Sequence, residues 1–168
     1  MSREPLLIVD GYNVLYAWPV LMRDASGDLQ TARERLANRL AEYEATRGVH
    51  AILIFDGNRK QTLGPQAAYA VETRFSSKGL SADHLIERLI VEVREATDEY
   101  LPITVATSDR LIHSLAMREH VAVTGSRAFV HELENLRIET DRYSTQTPFR
   151  VTVTEAARPA ARKSPKPR

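Results

Sequence analysis

Short apolar runs alternate along the chain with stretches whose apolar residues recur every three or four positions. The run PLLIVD, residues 5–10, is continuously apolar up to a carboxylate, the pattern of a strand covered on both faces. AILIFDG, residues 51–57, repeats it, and ITVATSD, residues 103–109, predicts a third such strand. HVAVTG, residues 120–125, predicts a fourth. YAVETRFS, residues 69–76, alternates instead and predicts an exposed or edge strand, and FRVTVT, residues 149–154, predicts a last one. Between these runs the period lengthens. Leu29, Ala32, Leu36, Leu40 and Tyr43 form a helical stripe from near Asp28 to Gly48, which stands where a C-terminal cap belongs. SADHLIERLIVEVREATD predicts a strong helix, with Ser81 as N-cap and Leu85, Ile86, Leu89, Ile90 and Val93 as its buried face. Further helices are expected after Asp109, running through MREH, and, as a short piece, around SRAFVHELEN. GNRKQTLGPQ, residues 57–66, reads as a polar loop.

Strands alternating with helices predict an α/β domain, a parallel sheet with helices on both faces. In such sheets ligands bind beyond the carboxyl ends of the strands. Three strands end there in an acid: Asp10, Asp56 and Asp109. A fourth acid, Asp83, falls in the first turn of the helix after Ser81, with Glu87 one turn later. Gathered carboxylates raise each other's pKa unless a cation neutralises them. Each acid also has a plain structural reading. Asp10-Gly11 and Asp56-Gly57 are turn pairs, Asp83 suits the positive end of its helix, and Ser108-Asp109 suits a helix cap. The coincidence at several strand ends favours a site. An oxygen-only donor set without cysteine or grouped histidine points to Mg²⁺ or Mn²⁺, not to zinc.

Composition narrows the picture. The chain has 168 residues, 43% of them apolar, which suits one domain with a substantial core. Cysteine is absent, which removes disulfides, thiolate metal sites and thiol nucleophiles. The first residues, MSREPLLIVDG, carry no apolar run of signal-peptide length, and no segment is long enough to span a bilayer. The expectation is a soluble cytoplasmic protein with no membrane partner. The net charge of +1 is unevenly placed. Residues 156–168, AARPAARKSPKPR, hold five basic residues and no acid, so residues 1–155 carry −4. The expected division is a folded domain over 1–155 and a disordered basic tail over 156–168. Such a tail suits either phosphate contacts on a nucleic acid or simple solubilisation.

Other chemistries lack their signatures. A haloacid-dehalogenase-type phosphatase wants a second aspartate two residues after Asp10, where Tyr12 stands. A response-regulator receiver wants adjacent acids near the first strand and a matching lysine, and neither is clear. No GxGxxG, GxxxxGK[ST] or GxSxG motif occurs. His50, His84, His113, His120 and His131 have no metal-ligand spacing, and His84 alone lies near the acids.

DGYNVLYAWP, FDG, SADHLIERL and ATSD, in that order, resemble the NYN-domain ribonucleases of the PIN-like superfamily. More closely they resemble its YacP-like bacterial branch, described as ribosome-associated endoribonucleases, over roughly residues 5–135. The resemblance implies a Rossmann-like, PIN-like fold and a Mg²⁺-dependent (or Mn²⁺-dependent) phosphodiesterase acting on RNA, mRNA in particular, with the ribosome as an expected partner. Asp10 matches the first-strand metal-binding aspartate, Asp83 the helical acid, and Asp109 the acid of the TSD motif. Asn13 matches the motif's asparagine, expected to orient a carboxylate or a metal-bound water. Asp56 is expected to join the metal cluster. His84 departs from the family's ADE motif, whose third letter is an acid.

The reading that follows is hydrolysis of an RNA phosphodiester with Asp10, Asp56, Asp83 and Asp109 around one or two metal ions, leaving a 5′-phosphate and a 3′-hydroxyl. Arg59, Lys60, Arg74 and Lys78, in and beside the loop after the second strand, are candidates for phosphates flanking the cut. Trp18 is a candidate for stacking on a base or, with Pro19, for a rigid pocket wall, and Tyr16 is expected to pack in the core. Two other readings stand beside this one. One is a non-catalytic RNA- or ribosome-binding module on the same fold. The other is a structure-specific DNA nuclease, for which the chain is short.

Overall fold

Three parallel strands form the centre of the sheet: β1 (Leu6–Asp10), β2 (His50–Phe55) and β4 (Ile103–Ala106). The computed structural model describes residues 4–57, 69–96 and 101–146 of this single α/β domain, with side chains as far as residue 142. β1 pairs with β2 on one side and with β4 on the other. β3 (Glu72–Phe75) lies outside β2, and β5 (Ala122–Thr124) outside β4, so the order is β3-β2-β1-β4-β5 with every pairing parallel. The chain first winds outward from β1 to β3, then crosses back to β4. The winding therefore reverses between β1 and β4, and the crevice at such a reversal is where a doubly wound sheet binds ligands.

Side chains alternate across the sheet and divide the core in two. Leu7, Val9, Leu53 and Phe55 face α1 (Gly11–Tyr16), α2 (Pro19–Asp24), α3 (Leu29–Arg47) and the buried stripe of α6 (Ser126–Gln146). Leu6, Ile8, Ile52, Ile54, Ile103 and Val105 face α4 (Ala82–Glu95) and α5 (Arg110–Arg118). The caps of the two long early helices stand where the sequence puts them. The Asp28 carboxylate accepts from the Thr31 N–H, Gly48 closes α3 in the left-handed conformation at φ 62°, and Ser81 caps α4.

Two expectations change, and two short helices are added. Residues 120–125 do not form a doubly covered strand: β5 is a three-residue edge strand, exposed or half-buried throughout. α6 is not a short helix but runs for 21 residues. Its apolar stripe (Phe129, Val130, Leu133 and Leu136) is followed by exposed residues 137–142, where an Arg137–Asp141 pair at 3.6 Å is a helical i,i+4 contact. A period read from apolar positions stops with the stripe. α1 and α2, six residues each, are too short to show a period and were not foreseen. Pro19 opens α2, where a missing N–H costs nothing. The strand expected over 149–154 and the basic tail lie outside the described residues.

Candidate active site

Asp10 is the last residue of β1 and only 7% exposed. The Thr107 hydroxyl, one residue past β4, donates to Asp10 Oδ2 at 2.9 Å. The same hydroxyl accepts from the Asp109 N–H at 3.1 Å. Burial pushes the Asp10 carboxyl up to about 6; the Thr107 bond opposes this, and the charges of Asp83 and Asp109 add to it. The strand-end acid is therefore paired with a hydroxyl from the neighbouring strand and faces two other carboxylates.

Asp83, in the first turn of α4, is half-buried. Burial raises its pKa, and the charges of Asp109 and Asp56 raise it further, while His84 pulls it down. His84, the departure from the family motif, turns back on the helix cap: its Nδ1 stands 2.8 Å from the Ser81 hydroxyl. Asp109 caps α5 by accepting from the Leu111 N–H at 2.7 Å, so its plain structural reading holds alongside its place in the cluster. Asp56 follows β2, and its Oδ1 accepts from the Ser76 hydroxyl at 3.3 Å. Asp10, Asp56, Asp83 and Asp109 thus share one electrostatic neighbourhood at the carboxyl ends of the strands.

Asn13, in the first turns of α1, spends its side-chain oxygen on the protein. Oδ1 accepts from the Ser108 N–H at 2.8 Å and also from the Ser126 hydroxyl. Ser108 Oγ in turn accepts from the Ser126 N–H at 2.9 Å. One amide therefore ties the start of α1 to the end of β4 and to the first residue of α6. Its observed work is to hold the crevice walls together. Thr107, buried at 0% exposure, and Ser126, at 1%, are the members of this network that sequence reasoning missed. The available signal was a short hydroxyl side chain directly after an apolar strand, in VATSD and AVTGS.

The two Asp-Gly pairs are not turns that need a left-handed residue; the glycines with positive φ are Gly27, Gly48 and Gly79. A Cβ on Gly11 would stand inside the Phe55 ring, and one on Gly57 would overlap the backbone oxygen of Ser76. Each glycine admits a close approach beside its acid.

The expected cationic and aromatic residues fare unequally. Arg74 lies on edge strand β3 and is engaged by Glu72 at 2.6 Å. Lys78 is exposed, five positions before Asp83. Arg59 and Lys60 lie outside the described residues. The aromatic expectations change in part: Trp18 lines a cavity beside Val20 and Leu21 but is no stacking surface, and Tyr16 is not in the core. Trp18 is buried, and its Nε1–H donates to Glu134 on α6 at 3.0 Å, which removes it as a base-stacking surface. Tyr16, expected in the core, is 54% exposed. Helical geometry explains this placement: Val14, Leu15 and Trp18 take the inward face of the segment and leave Tyr16 outward.

The donor chemistry of the crevice, four carboxylates with hydroxyls and no sulfur, suits a hard divalent cation. As the side chains stand, no three His, Cys, Asp or Glu residues among the described residues are grouped as a ready metal cage. Hydrogen bonds to Thr107, Leu111 and Ser76 hold Asp10, Asp109 and Asp56 to separate walls.

A family profile described as the YacP-like NYN domain matches residues 7–161. The chain belongs to this family. Its members carry a nuclease-like domain. The YacP-like chain is 29% identical over 138 residues to a Bacillus subtilis (strain 168) protein called "Uncharacterized protein YacP", covering 82% of this chain and 79% of that one. It is also similar to crystal structures of Rae1 (YacP) from Bacillus subtilis. One of these is 28% identical, with a TM-score of 0.68, covering 86% of this chain and 80% of that one. A point mutant of the same protein gives 26% identity and a TM-score of 0.68, covering 86% of both chains. Among the described residues, no helix is long and apolar enough to cross a membrane.

Proposed function

We propose that this YacP-like NYN protein is an endoribonuclease that hydrolyses RNA phosphodiesters at the crevice between β1 and β4. The observation that carries the reading is Asp10. A carboxylate almost closed off from water, held by Thr107 and facing Asp83 and Asp109, is costly to ionise without a cation. Asp10, Asp83 and Asp109, with Asp56 at the rim, would hold Mg²⁺ or Mn²⁺. When bound, such an ion lowers the pKa of water and neutralises charge on the transferring phosphoryl group.

The chain's own residues prepare this site. Thr107 keeps one Asp10 oxygen engaged and aims the carboxylate across the seam. Asn13 holds α1, β4 and α6 in register, so the acids keep their spacing when RNA arrives. Exposed Lys78, beside the start of α4, would meet a phosphate flanking the cut. The substrate is RNA, and mRNA at the ribosome is the setting that the family suggests.

The test is cleavage of labelled RNA by purified protein with Mg²⁺, with Mn²⁺ and with EDTA, with and without ribosomes, beside Asp10→Asn and Asp83→Asn. Metal-dependent cutting lost in both variants, with 5′-phosphate ends, is the expected result. A wild type that cuts nothing under any condition, yet binds RNA or ribosomes as both variants do, would make the protein a binding module on a nuclease fold.

A further inference from the structure

We propose that the Tyr16 ring, backed by Tyr12, is a stacking platform for the nucleobase next to the phosphate held at the acid crevice. The inference rests on the RNA-cleaving reading above and adds a subsite to it.

Tyr16 is the only exposed Phe, Tyr or Trp among the described side chains. An isolated exposed tyrosine would call for no explanation. This one belongs to a continuous ladder of rings. Tyr16 lies stacked on Tyr12 at 6.2 Å between centroids and 25° between planes. Tyr12 meets Phe55 at 4.9 Å, Phe55 stacks on Phe75 at 5.5 Å, and Phe75 meets Tyr69 at 6.2 Å. The ladder therefore runs from the surface at α1, past the ends of β1 and β2, to edge strand β3.

The ladder is braced by a buried cation. Arg33, 5% exposed, donates to the Tyr12 hydroxyl at 3.0 Å and to the Tyr69 hydroxyl at 3.2 Å. Its guanidinium lies 5.9 Å from the Phe55 centroid and 5.8 Å from that of Phe75. Tyr12 is thus fixed at its hydroxyl by Arg33 and at its ring by Phe55. A ring stacked on so immobile a partner gives up little rotamer freedom when a base settles on it, which favours binding.

Position gives the platform its use. Tyr12 is two residues after Asp10, and α1 carries Asn13, which ties the crevice together. Tyr16 follows Tyr12 by one helical turn, so the platform stands within about 10 Å of the strand-end acid along the helix. A nucleotide whose phosphate lies at the acids can place its own base, or a neighbouring one, on that ring. Every base has a π face, so the contact supplies affinity and register without dictating sequence.

The experiment measures binding of a short labelled single-stranded RNA in the Asp10→Asn background, with cleavage by the Asp10 protein assayed in parallel. A single abasic nucleotide is moved along the RNA. The expected result is a loss of about 5- to 150-fold in affinity with Tyr16→Ala, and recovery of most of that loss with Tyr16→Phe and Tyr16→Trp. One abasic position should give a similar loss with Tyr16 present and no further loss with Tyr16→Ala. The platform is overturned if Tyr16→Ala binds within twofold of the Tyr16 protein, or if its loss adds to the abasic loss at every position. Tyr16→Leu, which keeps an apolar side chain on α1 but has no ring, runs through the same abasic series, so the coupling is decided even where Tyr16→Ala fails to fold. Cleavage that survives while the abasic coupling is missing sinks the platform alone. Coupling without any metal-dependent cleavage sinks the nuclease reading alone. RNA that binds no variant sinks both.

Discussion

The Thr107 hydroxyl reaches Asp10 Oδ2 at 2.9 Å across the seam between β4 and β1, joining residues 97 positions apart. The bond lowers a carboxyl pKa that burial drives up, and the Thr107 hydroxyl oxygen also accepts from the Asp109 N–H. Thr107→Ala removes both services at a fully buried position. The expected cost is about 1–3 kcal/mol of stability, with a further upward shift of the Asp10 carboxyl. Because the proposed reaction needs that carboxylate ionised, the rising limb of the pH–rate profile should move to higher pH. Thr107→Ser, which keeps the hydroxyl, should restore it. An unchanged profile in Thr107→Ala would detach this bond from the chemistry.

Asp10 carries a pH-dependent stability cost. Its folded pKa of about 6 lies above its ordinary value of 3.8. The folded protein therefore holds this proton more tightly than the unfolded chain between those two values, and stability falls as pH rises through that window. The cost is absent below the ordinary value and complete above the folded one. Asp10→Asn should accordingly stabilise the metal-free protein by about 3 kcal/mol at pH 8, a rise of roughly 6–12 °C in melting temperature, and leave it unchanged near pH 3. Thermal melts in EDTA across this range check the prediction. Asp10→Asn melting below the wild type at pH 8 would contradict it.

Mg²⁺ should reverse that cost. An ion that binds the folded carboxylates and not the unfolded chain raises the melting temperature with its concentration. The wild type should gain thermal stability on adding Mg²⁺ at pH 8, and Asp10→Asn should gain much less. Below pH 6 the wild-type response should fade, because protons compete for the same oxygens. Equal responses from the two proteins would move the binding away from Asp10.

Gly57→Ala probes the other edge of the crevice. The added methyl would overlap the Ser76 carbonyl, and Ser76 is the residue whose hydroxyl holds Asp56 and receives the Gly57 N–H. Backbone must move to relieve the overlap, at a cost of about 1–3 kcal/mol. Gly11→Ala, which meets the buried Phe55 ring, should cost a similar amount. If Asp56 is an active member of the cluster, Gly57→Ala should lower cleavage more than its loss of folded protein explains. Circular-dichroism melts and cleavage rates on the same samples separate the two effects.

Much of this fold could be read from local pattern. The runs ending at Asp10, Asp56 and Asp109 announced the central strands, and Asp28, Gly48 and Ser81 announced their helix ends, because strand burial and capping depend on nearby residues. What escaped was set by neighbours far along the chain. Nothing local makes Trp18 the partner of Glu134, 116 positions along the chain. The stretch of α6 after Leu136 escaped for the opposite reason, since residues 137–142 carry no buried stripe to reveal its period.

The sequence by itself determined the alternation of strands and helices, the acids at the strand ends, and the motifs that place the chain among YacP-like NYN domains. Tertiary structure alone decided that β1 and β4 lie side by side, that Thr107 and Asn13 stitch that seam, and that a buried Asp10 faces half-buried Asp83 and Asp109 at the ends of the strands. The physical reason is range. Apolar period and capping act within a few residues, whereas a carboxylate's pKa depends on every charge, hydroxyl and water that the folded chain brings near it or shuts out.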